Sequence, residues 1–95
     1  MKLQAQGPLV GVRVLEICEG QEGPYCGAIL SDLGAEVIKV ENREGDYTRK
    51  LGPFKNGESA YYISYNRGKK GIALDLSKKK SQEIVKELAA KSDIF

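Results

Sequence analysis

The sequence predicts an α/β fold in which an open parallel sheet is flanked by helices, and three observations carry that prediction. Val12, Val14, Leu15 and Ile17 form a short β-rich run, and Glu36-Val37-Ile38-Lys39-Val40 forms a second. Between them lie a loop and a segment of helical length, the kind of crossover that forces two strands to pair in parallel. A third run, Gly71-Ile72-Ala73-Leu74-Asp75-Leu76, is followed by another helical pattern, so strand and helix alternate along the chain.

Each element has its own local reasons. Residues 1 to 8 are polar up to Pro8-Leu9, which predicts a flexible lead-in and a fold that starts at about Val10. The first strand runs into a polar loop, Glu19 to Glu22. Gly23-Pro24 then opens a helix expected from about Pro24 to Leu33. Proline suits a first helical position because its missing N–H has no intrahelical partner there, and Gly34 stands where a stop is wanted. In open parallel sheets ligands bind outside the carboxyl ends of the strands. The loop from Glu19 to Gly23 and the segment after Glu41 are therefore expected to form one edge of a site.

Asn42 to Glu58 carries Gly45, Gly52, Pro53 and Gly57 among charges, shows neither period, and reads as one loop of 17 residues. Loops of that length in a compact domain are usually functional or disordered. Ser59 to Tyr65 fits two descriptions. Its aromatic and β-branched content favours a strand, whereas Glu58-Ser59 is a helix start, Tyr61, Tyr62 and Tyr65 satisfy helical spacing, and Asn66-Arg67-Gly68 is a stop. A short helix is expected. After the third strand, Ile84, Val85, Leu88 and Ala89 form an apolar stripe expected to pack on the sheet, with Gln82, Lys86, Glu87 and Lys91 on the other face. Ile94-Phe95 reads as the first step of a fourth strand, which marks these 95 residues as the N-terminal part of a longer chain.

A hydrophobic content of 41% in 95 residues allows one small core. The net charge of +2 is too small to argue for a nucleic-acid or membrane partner, and no apolar run approaches the roughly 18 residues of a membrane span. Cys18 and Cys26 have no histidine beside them to complete a zinc set. They read as reduced, half-buried thiols of a cytoplasmic protein.

Two features invite a ligand. Gly20-Gln21-Glu22-Gly23 follows a strand, but the G-x-G-x-x-G spacing is missing, and Glu19 and Glu22 would repel a pyrophosphate, which disfavours NAD. Lys78-Lys79-Lys80 opens the last helix against its macrodipole. Two readings of it stand: a phosphate held by the lysines and backbone N–H groups, or a solvated basic end with Ser81 as the cap. Arg43, Arg49, Arg67, Lys69 and Lys70 could add to an anion-binding rim, but Glu44 and Asp46 dilute its charge, and a rim of mixed charge is usually just surface. No Ser-His-Asp or Cys-His set and no paired carboxylates with a common face are present, and no metal set is expected.

The blocks of this chain, taken in order, resemble the N-terminus of the class III CoA-transferases, the CaiB/BaiF family. They are Pro8-Leu9-Val10-Gly11-Val12-Arg13-Val14-Leu15-Glu16, Gly23-Pro24-Tyr25-Cys26, Asp32 to Glu41, Gly45-Asp46 with Thr48-Arg49, Gly57 to Tyr62, Asn66 to Lys70, and Ile72 to Leu76. The resemblance implies a Rossmann-like large domain of which residues 1–95 are the N-terminal segment, in a longer protein with a small domain and interlocked homodimeric subunits. It also implies movement of CoA between an acyl-CoA and a carboxylic acid through an aspartyl-CoA thioester, with no metal. The family's aspartate lies beyond residue 95, so no catalytic residue is assigned here. Contacts to coenzyme A carry over to Gln21 and Glu22 near the thioester, to Asn42, and to Leu74, Asp75, Leu76 and Ser77 along the CoA; Lys78, at the helix start that follows, is a candidate contact on the charge of the lysine run. Three departures stand out: Glu22 where the family often has alanine, Asn42 where a basic residue or proline is common, and Lys78-Lys79-Lys80-Ser81 in place of Ser-Pro-Glu-Gly. An acyl-CoA racemase of the same superfamily is the alternative, though racemases tend to lack the segment equivalent to Gly57 to Tyr65. An inactive CoA-binding or structural fragment is the other.

Overall fold

The computed structural model describes residues 6–95, so most of the expected flexible lead-in lies outside the described residues. Strand β1 (Arg13–Glu16) leads to helix α1 (Glu22–Asp32) and strand β2 (Glu36–Glu41). The two strands pair in parallel from Arg13 opposite Glu36 to Glu16 opposite Lys39. The helix stops as expected. Gly34 adopts φ +105°, its N–H donates to Ser31 O, and Ala35 N–H donates to Leu30 O, a Schellman closure that only a left-handed residue permits. Its start differs from expectation, since α1 begins two residues before Pro24. Proline is still tolerated there because the N–H groups of the first turn have no intrahelical acceptor.

Residues 42 to 58, expected to be one unstructured loop, contain three short elements. Tyr47–Lys50 is a 3₁₀ turn whose cap, Asp46, accepts a hydrogen bond from Thr48 N. Strands β3 (Phe54–Lys55) and β4 (Glu58–Ser59) pair antiparallel across Asn56-Gly57, both at positive φ. That is the backbone of a two-residue primed turn, for which Asn-Gly is the preferred pair. The tyrosine-rich segment is helix α2 (Ala60–Asn66), and Ser59 Oγ caps it by accepting from Tyr62 N at 3.1 Å.

Strand β5 (Lys70–Ala73) pairs in parallel with β2, from Ile38 opposite Lys70 to Glu41 opposite Ala73. The strand was expected to reach Leu76. It stops where β2 stops, because beyond Glu41 no neighbour remains to pair with; Leu74 N takes the last bond, to Glu41 O at 2.9 Å. Helix α3 (Lys79–Ala90) has Lys78 at its N-cap, which makes no side-chain cap bond, so Ser81 lies inside the helix and is not its cap. Ile84, Val85, Leu88 and Ala89 form the less exposed face of α3, but none is buried, which corrects the expectation of a stripe seated firmly on the sheet. The chain then crosses to the far side of β1, where Ile94 forms a parallel bridge with Val14. The spatial order is therefore Ile94, β1, β2, β5, and the sheet changes winding direction beside β1. Among the described residues Val14, Leu15, Ala28, Ala35, Val37 and Val40 form the buried hydrophobic core, all of them in the β1-α1-β2 unit.

Candidate functional site

The carboxyl ends of β1, β2 and β5 lie side by side, and the loops that leave them meet as expected. Asn42 Nδ2, just after β2, donates to Glu19 Oε1 in the loop after β1 at 3.1 Å. A shallow cavity of about 330 Å³ is lined by Glu19 to Gly23 and Tyr47, and one of about 270 Å³ by Glu41 to Gly45, Arg49 and Ala73. A larger hollow of about 780 Å³ opens at the opposite, amino end of the strands. Three of its charged groups are tied to one another: Glu36 accepts from Lys70 at 2.8 Å and from Arg13 at 2.6 Å, which holds its carboxyl below the usual range. The carboxyl edge is the better ligand site, because it lies at the change of winding and its backbone is not committed to pairing.

The loop residues have defined partners. Gln21 Nε2 donates to Tyr65 Oη at 3.0 Å, and the Tyr65 ring packs on Tyr25 and Tyr61, with centroids 5.9 and 5.1 Å away. Glu22 stands exposed in the first turn of α1, where the helix dipole favours an anion. At the end of β5, Leu74, Asp75 and Leu76 are half-buried while Ser77 and Lys78 are exposed. Asp75 accepts from both Ser77 N and Ser77 Oγ, which lowers its carboxyl pKa, with Arg43 adding a smaller pull. Gln82 Nε2 donates back to Leu76 O and ties α3 to this turn. The seven positions assigned from the resemblance, with Lys78 next to them in the chain, thus share one edge of the molecule.

Of the five cations that could have formed a rim, Arg43 lines the cavity after β2 and the other four are engaged elsewhere. Arg67 pairs with Asp32, Lys70 with Glu36 and Arg49 with Glu41, and the ammonium of Lys69 is buried against Glu16. Arg49 also lies over Tyr62, its guanidinium carbon 3.9 Å from the ring centre. Glu41 accepts two bonds from Arg49, one from Tyr62 Oη and one from Asp46 N; the Arg49 bonds above all pull its pKa to about 2. Burial and the Glu41 carboxylate push the Tyr62 phenol upward. The cysteines are free; burial, aided by Glu16, raises Cys18 to about 11, and Cys26 is exposed where it was expected to be half-buried.

What the sequence reading passed over is a buried ionic cluster. Lys39 Nζ donates to Glu16 Oε2 (3.2 Å), Asp46 Oδ2 (2.9 Å) and Cys18 O (3.0 Å). Lys69 Nζ donates to Glu16 Oε2 (2.9 Å), Asn66 Oδ1 (2.9 Å) and Pro24 O (2.8 Å). It also sits 2.7 Å from Glu16 Oε1, an ion contact without hydrogen-bond alignment. Burial depresses the Lys69 pKa while Glu16 opposes the shift; burial also works against the Asp46 carboxylate, which Thr48 and Lys39 nonetheless hold low. The signal for this cluster was present. Glu16 and Lys39 fall inside runs otherwise built for a buried parallel sheet, where charge is rare unless paired.

Each of the four aspartates already holds a structural bond: Asp32 to Arg67, Asp46 to Lys39, Asp75 to Ser77, and Asp93 to Arg13 N. Among the described residues no group of His, Cys, Asp and Glu is arranged to hold a metal, and no helix is long and apolar enough to cross a membrane.

Known CoA-transferases are similar to this chain along almost all of its length. A succinyl-CoA:glutarate CoA-transferase of Mus musculus is 51% identical over 90 residues, 93% of this chain and 21% of that one. A formyl-CoA:oxalate CoA-transferase of Bradyrhizobium diazoefficiens is 41% identical over 89 residues, 92% of this chain and 21% of that one. Among solved structures, a CaiB/BaiF family protein from Brucella suis superposes with a TM-score of 0.86 at 41% identity, covering 96% of this chain and 25% of that one. The chain spans about a fifth to a quarter of the length of the relatives it matches. The model of CoA-transferase family III matches residues 9–95, from the turn before β1 to the bridge beside it, and the chain belongs to that family.

Proposed function

We propose that residues 1–95 are the N-terminal segment of the large domain of a class III CoA-transferase, and that they supply part of its CoA-binding region. The full-length protein moves CoA between an acyl-CoA and a carboxylic acid, as an interlocked homodimer. Its nucleophile is an aspartate outside this segment, in keeping with the structural bonds that already engage the four present here. That carboxylate displaces CoA thiolate from the acyl-CoA to give a mixed anhydride. The thiolate then attacks the aspartyl carbonyl and releases the first acid, leaving an aspartyl-CoA thioester, and the second acid reverses both steps. The observation that carries the reading is the convergence of Gln21 and Glu22, Asn42, and Leu74 to Lys78 on one edge of the sheet, in a chain of this family. The segment Gly57 to Tyr65, present in full as the end of the hairpin and most of α2, favours a transferase over a racemase.

The test uses the full-length polypeptide with succinyl-CoA as donor and a panel of carboxylic acids, glutarate first, since the Mus musculus relative is named for that pair. Transfer, together with a CoA-sized mass added to an aspartate outside residues 1–95, supports the proposal. Solvent deuterium entering a 2-methylacyl-CoA without transfer would replace it with the racemase reading. Replacing Lys78, Lys79 and Lys80 together by Ala is expected to weaken CoA binding and flatten its salt dependence, because exposed charges more than about 8 Å from a phosphate are screened at ~0.15 M salt. Unchanged affinity at low salt would reduce the three lysines to a solvated helix end.

A further inference from the structure

The loop between β1 and α1 is held at both ends from beneath. An ammonium group has three N–H donors. Lys39 spends its three on Glu16, Asp46 and the carbonyl oxygen of Cys18; Lys69 spends its three on Glu16, Asn66 and the carbonyl oxygen of Pro24. Both converge on Glu16 Oε2, so a single carboxylate joins the clamp at residue 18 to the clamp at residue 24. All of it is dry: the side chains of Lys39, Lys69, Glu16 and Asp46 are 1%, 2%, 5% and 0% exposed. Room for it is made in α1 by Gly27, where a Cβ would lie 2.0 Å from Glu16 Oε1 and 3.1 Å from Lys69 Nζ. The loop closes on itself above the cluster, since a Cβ at Gly23 would meet Cys18 Sγ at 2.5 Å.

Stability alone is a poor account of such a cluster. Buried ion pairs are often matched or bettered by apolar residues of the same volume, because desolvating the charges offsets much of their attraction. Two lysines, one aimed at a loop carbonyl at Cys18 and one at a carbonyl in the first turn of α1 at Pro24, give the cluster a different use. We propose that Glu16, Lys39 and Lys69 are positioning residues, which fix the Cys18–Pro24 loop and thereby set Gln21 and Glu22 against the reacting end of an acyl-CoA. This rests on the function proposed above. The Gln21 bond to Tyr65 adds a second tie, because Tyr65 and Lys69 bracket the turn that follows α2.

The test is made in the full-length protein with Lys69→Met and with the charge-balanced pair Glu16→Gln/Lys69→Met. The single variant leaves a buried carboxylate short of a partner and is expected to be destabilised. The double variant removes one charge of each sign, keeps Lys39 paired with Asp46, and is expected to regain most of the lost melting temperature. If the cluster only stabilises, activity returns with stability. If it positions the loop, the double variant stays at least about tenfold down in kcat, since an ångström of misplacement at a reacting centre costs up to about a hundredfold. Its Kd for CoA alone changes by less than about threefold, because the rest of the CoA contacts are intact. Amide hydrogen exchange gives a readout independent of activity: residues 19 to 23 are expected to exchange at least about tenfold faster than in the wild type, with β2 unchanged. Loop exchange within twofold of wild type, or full activity in the double variant, overturns the positioning role. A wild-type protein that transfers no CoA, with a variant whose loop exchanges faster, overturns the function proposed above and leaves the loop clamp standing.

Discussion

The two ends of this small fold contrast sharply. In the β1-α1-β2 unit Leu15 and Val37 are each 1% exposed and Ala28 is fully enclosed, whereas α3, the helix with the plainest amphipathic pattern in the chain, buries no residue. Periodicity marks which face of a helix is apolar; burial depends on what lies opposite. For α1 the opposing surface is a pair of strands in register, with Gly27 allowing close approach. No strand or helix of the described residues seats α3 in this way, and its stripe stays half-exposed.

The contrast is sharpened most by paired truncations. Leu15→Ala is expected to cost about 2–5 kcal/mol in chemical denaturation, as buried leucines do, while Leu88→Ala costs less than about 1 kcal/mol. Equal losses would mean that α3 is as tightly packed as the first unit.

A second test is chemical. Glu41, 8% exposed, has its carboxyl held at about 2, against a usual 4.5, by Arg49, Asp46 N and Tyr62. A depressed carboxyl stabilises the fold fully above its unfolded pKa, and that contribution is lost as pH falls from about 4.5 through about 2. The shift corresponds to about 3 kcal/mol. Replacing Glu41 by Gln should lower stability at pH 7 and flatten its fall between pH 5 and pH 2. An acid limb of unchanged slope would show that the pairing contributes nothing.

The smallest effect belongs to the start of α3. Lys79 and Lys80 oppose the dipole in a first turn with no side-chain cap. Changing both to Ala should stabilise the fold by a few tenths of a kcal/mol at low salt and by nothing at high salt. A loss of stability at low salt would mean that the lysines make contacts within the fold.

Much of this architecture was legible because its signals are local. Gly34 and its Schellman closure, the parallel crossover and the serine-capped tyrosine helix each depend on a few neighbouring residues. The bridge at Ile94 was legible as a strand start, but its place beside β1 was not, since strand order is a long-range property. Residues 42 to 58 were misjudged although Asp46-x-Thr48 and Asn56-Gly57 are recognisable cap and hairpin signals; their brevity hid them among charges and glycines. At the candidate site, the meeting of the loop at Glu19 with Asn42 followed from the sheet rule alone. The lysines could not be sorted in the same way. Lys69 and Lys70 are adjacent in sequence, yet one is buried on Glu16 and the other is an exposed partner of Glu36, a difference set by residues more than thirty positions away.

The closed arithmetic of the buried cluster has a consequence for how this protein can drift or be redesigned. Two ammonium groups and two carboxylates sum to zero inside a dry pocket, and every lysine N–H is taken. A lone change at position 16, 39, 46 or 69 leaves an odd charge without water to absorb it, so variation there is confined to exchanges that remove or restore opposite signs together. Position 27 inherits the same restriction without bearing any charge, because a methyl group there would occupy the space of the Glu16 carboxylate. Five positions scattered across more than half the chain thus behave as one unit of inheritance.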